Sequence, residues 1–163
     1  MKKVAPLTDP SERRPSIRPE KRDLILYVED DDENWDVAEY RLSRSFDMLR
    51  APTSERACHW VRERGAEISV ILMDIELRGS ELNGTELTEL LRGRPAKRPL
   101  PDYAQDMPLV TKPIIFVTAH GARYSDVELM LFGADKVIAK PVNFAALNLA
   151  LTSLQLSHAT RRR

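Results

Sequence analysis

A single cysteine, Cys58, stands in 163 residues, which excludes an internal disulfide. No charged, apolar and small-residue signal opens the chain either, so a reducing, cytoplasmic setting is expected. Charge of one sign is not in surplus: 25 Lys and Arg balance 25 Asp and Glu for a formal net charge of zero. No global field therefore draws nucleic acid or an anionic membrane, and no direct DNA binding is expected. No apolar run approaches the length of a membrane span, so no membrane partner is expected. The length suits one domain with an ordinary core. Cys58 lies beside Ala57, His59 and Trp60 in a helical stretch and reads as a small buried hydrophobe with no role of its own.

Residues 1–22 carry Pro6, Pro10, Pro15 and Pro19 among charged residues, with few large aliphatics. Such a composition does not cover its own ordering entropy, so a disordered leader is expected, as a solvated spacer more than a docking tail. The folded unit is expected over 23–157, followed by a basic tail at 158–163 with Arg161, Arg162 and Arg163 solvated. Within that unit, five apolar segments read as strands: Leu24–Val28, Asp47–Ala51, Ile68–Asp74, Pro113–Thr118 and Lys136–Pro141. Helices are expected between them: from about Asn34 to Ser45, from a Pro52-Thr53-Ser54 cap to Arg64 with Gly65 as a left-handed stop, from a Thr85 cap, from Ser125 to Phe132, and from Asn143 to about Leu156. Alternating strands and helices imply an α/β fold, a doubly wound five-stranded parallel sheet with helices on both faces. The stretch 93–112, rich in proline and charge, is too long for an ordinary connection and reads as either a specialised surface or a mobile one.

Four of the strands end in polar residues: Glu29-Asp30, Asp74, Thr118 and Lys140. In a doubly wound sheet the carboxyl ends of the strands line one crevice, so these residues become neighbours. The acidic run from Glu29 to Glu33 exceeds what a following helix dipole needs and calls for a cation. Hard oxygen ligands suit magnesium or calcium. Asp74 is a candidate nucleophile, because carboxylates form aspartyl phosphates. Thr118 can hydrogen-bond one phosphoryl oxygen and Lys140 can neutralise another. The set reads as phosphoryl transfer onto Asp74.

With Leu24 to Asp31, Val70 to Leu77, Ile114 to Ala119, Gly133-Ala134-Asp135 and Lys140-Pro141, the chain resembles a response regulator receiver domain of the CheY-like family over about 22–157. The resemblance implies that Glu29 and Asp30 are the acidic pair that binds Mg2+, with Glu76 lending its backbone carbonyl. It implies that Asp74 accepts phosphate from a histidine kinase or histidine phosphotransfer protein, that Thr118 is the switch hydroxyl and that Lys140 pairs with the phosphate. Glu76 and His120 match variable positions that tune attack by water on the acyl phosphate. In the family the peptide between the lysine and its proline is usually cis, which Lys140-Pro141 permits. Three departures stand out. Val137 replaces the usual aromatic three residues before the lysine, the loop after Asp74 is longer than usual, and the stretch 93–112 is expanded.

The expectation is therefore a stand-alone phosphorylation switch, not an enzyme in its own right, that signals to a downstream protein by altered binding. An exposed face around the fourth and fifth strands leaves a homodimer open. The chief rival is a receiver-like scaffold that ignores phosphate, motivated by Val137 and the long loop. A phosphatase of the haloacid dehalogenase type ranks below both, since Glu76 stands where that class has its second Asp.

Overall fold

The computed structural model describes residues 21–119 and 124–160. The expectations for residues 1–20, for His120 and for the three terminal arginines lie outside the described residues. Lys21 and Arg22, the end of the expected leader, are described, and Arg22 pairs with Asp47 at 3.0 Å.

In chain order the elements are β1 (Leu24–Val28), α1 (Asp32–Leu42), β2 (Asp47–Ala51), α2 (Ser54–Arg64), β3 (Ile68–Met73), α3 (Gly84–Leu91), a single 3-10 turn (Asp102–Ala104), β4 (Ile114–Ala119), α4 (Asp126–Leu131), β5 (Lys136–Lys140) and α5 (Phe144–Thr160). The strands form one sheet in the order β2-β1-β3-β4-β5, and every pairing is parallel. The burial pattern explains that order. β1 and β4 are apolar at alternate and adjacent positions and buried almost throughout, as strands covered on both faces must be. β2 and β5, each more exposed, form the edges.

Alternation along the strands divides the core in two. Leu26, Val28, Ile71, Met73 and Phe116 meet Ala57 and Val61 of α2, Leu87 and Leu91 of α3, and Leu129 of α4. Ile25, Tyr27, Val70, Leu72, Ile115 and Val117 meet Trp35, Ala38 and Leu42 of α1, with Leu147 and Leu151 of α5. Cys58 is buried in the first layer, and burial pushes its thiol up to about 11. That environment suits a packing residue.

Several local expectations are corrected. α1 starts at Asp32, two residues earlier than the apolar stripe indicates, because the Asp31 carboxylate accepts the Asn34 N–H at 2.9 Å and caps the helix; it ends at Leu42 and not at Ser45. Gly65 keeps right-handed angles (φ −55°, ψ −35°) and donates to the Val61 carbonyl. A side chain there would meet that carbonyl oxygen at 2.3 Å, so close approach and not handedness explains the glycine. α3 is capped by Asn83 and not Thr85: Asn83 accepts the Glu86 N–H at 2.9 Å and Glu86 accepts the Asn83 N–H at 3.0 Å, a reciprocal capping box. α5 runs to Thr160, past the expected end and into the stretch read as a tail.

The 93–112 stretch is a packed surface. Ala104 is fully buried, the Tyr103 hydroxyl lies 2.7 Å from the Ser54 hydroxyl, and Arg62 of α2 donates to the carbonyls of Tyr103 and Gln105. At its far end Arg92 gathers the carbonyls of Val110, Lys112 and Gly133 and the Asp135 carboxylate. The prolines that prevent a helix here leave carbonyls for these arginines.

Candidate functional site

The strand order reverses between β1 and β3, and the crevice at their carboxyl ends holds the expected carboxylates. Oxygens of Glu29, Asp30 and Asp74 all lie within 4.8 Å of one another. Glu29 is fully buried and Asp74 is 7% exposed. Lys140, arriving on the far edge strand, bridges two of them: Nζ donates to Glu29 Oε2 at 2.8 Å and to Asp74 Oδ2 at 2.9 Å. Thr118, also buried, is the penultimate residue of β4, the strand between β3, which Asp74 follows, and β5, which Lys140 ends. Glu76 lies exposed two residues past Asp74. The Lys140-Pro141 peptide is cis. Val137 is partly buried against the first core layer, paired in register with Phe116.

The electrostatics follow from burial. Desolvation pushes the Asp74 carboxyl up to about 6, and the Lys140 ammonium pulls it back only in part. For Lys140 itself burial works against the charge, but hydrogen bonds to Glu29 and Asp74 outweigh it and hold the ammonium above its ordinary value. Burial, then the charge of Glu29, raises the Tyr27 phenol far above its ordinary value. Tyr27 therefore stays a donor, at 2.9 Å from Glu29 Oε2. At neutral pH the site is an ionised carboxylate beside a fixed ammonium.

Four residues at the site escaped the sequence reading. Tyr27 orients Glu29, and the clue was the spacing of two along a strand, which puts both on one face. Arg50 of β2 holds the backbone from behind, donating to the carbonyls of Glu29 at 3.3 Å and Asp30 at 3.2 Å, and pairs with Asp32 at 2.7 Å. Arg78 approaches from the front: Nε donates to Asp30 Oδ2 at 2.9 Å and Nη2 to Asp31 Oδ2 at 3.3 Å. Gly84 donates to the Ile75 carbonyl, and a Cβ on it would meet the Asp74 carbonyl oxygen at 1.9 Å. No sequence signal marks Arg50 or Arg78, since both act across the fold.

A family model for the response regulator receiver domain matches residues 25–152. The chain belongs to this family. A curated relative, the uncharacterized transcriptional regulatory protein YrkP of Bacillus subtilis (strain 168), is 28% identical over 118 residues, which are 72% of this chain and 42% of that protein. The chain thus spans less than half the length of the curated relative it matches. Among solved structures, a response regulator receiver domain protein from Clostridium thermocellum is similar with a TM-score of 0.68 at 18% identity, covering 84% of this chain and 97% of that one. The receiver domain of NtrX from Brucella abortus follows at 0.63 and 24% identity, with 80% and 96% covered. At these identities the likeness is one of fold. The protein is a receiver domain of two-component signalling, and receivers hold Mg2+ at an acidic pocket.

The donor set here fits such an ion. Three carboxylates offer hard oxygen ligands, and the receiver's own donors already occupy part of them. Glu29 is engaged by Tyr27, Lys140 and the Asp31 N–H, so it is the orienting member. Asp30 and Asp74 keep more free lone pairs and are the residues that would touch the metal. Among the described residues no helix is long and apolar enough to cross a membrane.

Proposed function

We propose that the receiver accepts a phosphoryl group on Asp74 from a histidine kinase or histidine phosphotransfer protein and signals by altered binding to a partner. The observation that carries the reading is the Lys140 bridge between Glu29 and Asp74, which fixes a cation beside the Asp74 carboxylate. In the transfer, an Asp74 oxygen forms the new P–O bond as the P–N bond to the donor imidazole breaks, and the electron pair leaves with that nitrogen. Mg2+, when bound at Asp30 and Asp74, would neutralise charge on the transferring group. Glu29, oriented by Tyr27, holds Lys140 beside Asp74, where its ammonium pairs with a phosphoryl oxygen. Thr118 closes on another oxygen, which moves the end of β4, and the Glu76 carbonyl is a further metal ligand by the resemblance. With Val137 at the place of the usual aromatic, the change is read through the β4 and β5 surface without a ring flip. Exposed Val127, Met130 and Leu131 on α4 lie on that surface and suit a partner or a second copy.

Turnover of a separate substrate is not part of this reading. The braced 93–112 stretch and Val137 favour, as a second reading, a scaffold whose partner affinity ignores phosphate. Incubation with acetyl phosphate and Mg2+ followed by intact mass decides between them. A gain of one phosphoryl group that requires both magnesium and Asp74, and vanishes in Asp74→Asn, is the expected result. Its absence in a folded protein selects the scaffold.

A further inference from the structure

Arg78 sits on the loop after β3 and its side chain is 79% exposed, yet it is held by three contacts converging on Asp30 and Asp31. Its backbone N–H and its Nε both meet Asp30 Oδ2, at 3.2 and 2.9 Å, and its Nη2 meets Asp31 Oδ2 at 3.3 Å. The Asp30 side chain is only 11% exposed, and this guanidinium pairs with it at 2.9 Å. From the opposite side Arg50 holds the Glu29 and Asp30 carbonyls, so the Asp30 carboxylate is pinned between a fixed backbone and a cationic lid. The loop that carries Arg78 is itself braced: Ser80 Oγ accepts the Ser54 N–H at 3.0 Å, and the Ser54 hydroxyl is shared with Tyr103 of the 93–112 stretch.

We propose that Arg78 is a tethered counter-cation for the metal-binding carboxylate, so that divalent metal enters by exchange with a guanidinium and Arg78 sets the metal threshold of this receiver. The proposal rests on the reading of Glu29, Asp30 and Asp74 as a divalent-cation site. Two positive charges cannot share the Asp30 oxygen without strong repulsion, and a largely exposed arginine is the one that yields, because its competing hydration is strong. The exchange leaves Lys140 on Glu29 and Asp74 untouched. It also frees the front of the loop, so that the surface beside Asp30 differs between the metal-free and metal-loaded forms.

Isothermal titration of the full chain with MgCl2 tests this, with the magnesium-induced rise in melting temperature as a second readout. Arg78→Ala is expected to bind magnesium about two- to fivefold more tightly than the wild type in 50 mM salt, a gap that narrows in 500 mM salt as the exposed pair is screened. Arg78→Lys, which keeps the charge and loses the planar reach to Asp31, falls between them. Lys97→Ala removes an exposed cation that pairs with Glu89 and is expected to leave the affinity unchanged. Unchanged or weaker binding in Arg78→Ala overturns the exchange while leaving the metal site intact. An equal gain in Lys97→Ala also overturns it, because the effect would then be a general field. No magnesium binding in any of the proteins sinks the metal reading itself, and the exchange with it.

Discussion

Asp74 carries opposing demands, since the proposed phosphoryl transfer needs it ionised and burial resists the charge. Its carboxyl is raised from the ordinary carboxylate range to about 6, so the folded chain holds this proton more tightly than the unfolded chain does. The linked stability is present in full below the unfolded value, is lost as pH rises through 6 and stays lost above it. A shift of about two pKa units corresponds to about 3 kcal/mol. Asp74→Asn, which is neutral at every pH, is therefore expected to match the wild type near pH 4 and to exceed it by about 1–3 kcal/mol at pH 7.5. Urea unfolding of both proteins at several pH values in metal-free buffer checks this, and parallel curves from pH 4 to 7.5 would contradict it. The same residue was legible in the sequence only in company: a lone carboxylate after a strand more often caps a turn, and it was the polar ends of three other strands, at Glu29-Asp30, Thr118 and Lys140, that singled it out. Arg78 and Arg50 were not, because each acts on the site from more than twenty residues away and an arginine alone carries no periodicity.

Among the elements, the start of α3 does most to place Asp74. Gly84 brings the helix against the Asp74 and Ile75 backbone so closely that any side chain would collide with a carbonyl. Gly84→Ala is expected to cost about 1–3 kcal/mol in urea unfolding and to slow labelling of Asp74 by acetyl phosphate. Full retention of both would show that the loop can retreat. No sequence signal revealed this constraint, because it is the close approach of the α3 start to the backbone just after β3, at Asp74 and Ile75. The 93–112 stretch posed the opposite problem. Its prolines and charges argue against a helix, as found, yet its order comes from partners on α2 and at the end of α3 that local composition cannot announce. Tyr103→Phe removes only the hydroxyl bond to Ser54 and is expected to cost about 1 kcal/mol, readable as a lowered urea midpoint.

On the scale of the whole molecule, the five strands and their parallel pairing followed from the apolar segments and the helices between them, whereas the order β2-β1-β3-β4-β5 came only from the structure. A ligand that binds only the assembled sheet stabilises all of it. Magnesium at one hundred times its dissociation constant is expected to add about 2.7 kcal/mol, seen as a higher melting temperature than in EDTA, and Asp30→Asn is expected to abolish the difference. An equal rise in that variant would place the ion elsewhere. The bridge made by Lys140 has one more consequence, which concerns time. It spans 111 residues to Glu29 and 66 to Asp74. At about 5–20 residues per second of synthesis, the lysine is added roughly 3–13 s after the aspartate. For that interval a nascent chain holds its carboxylates with no buried ammonium among them, and the emergence of residue 140 is the event that completes both the sheet edge and the charge balance at its centre.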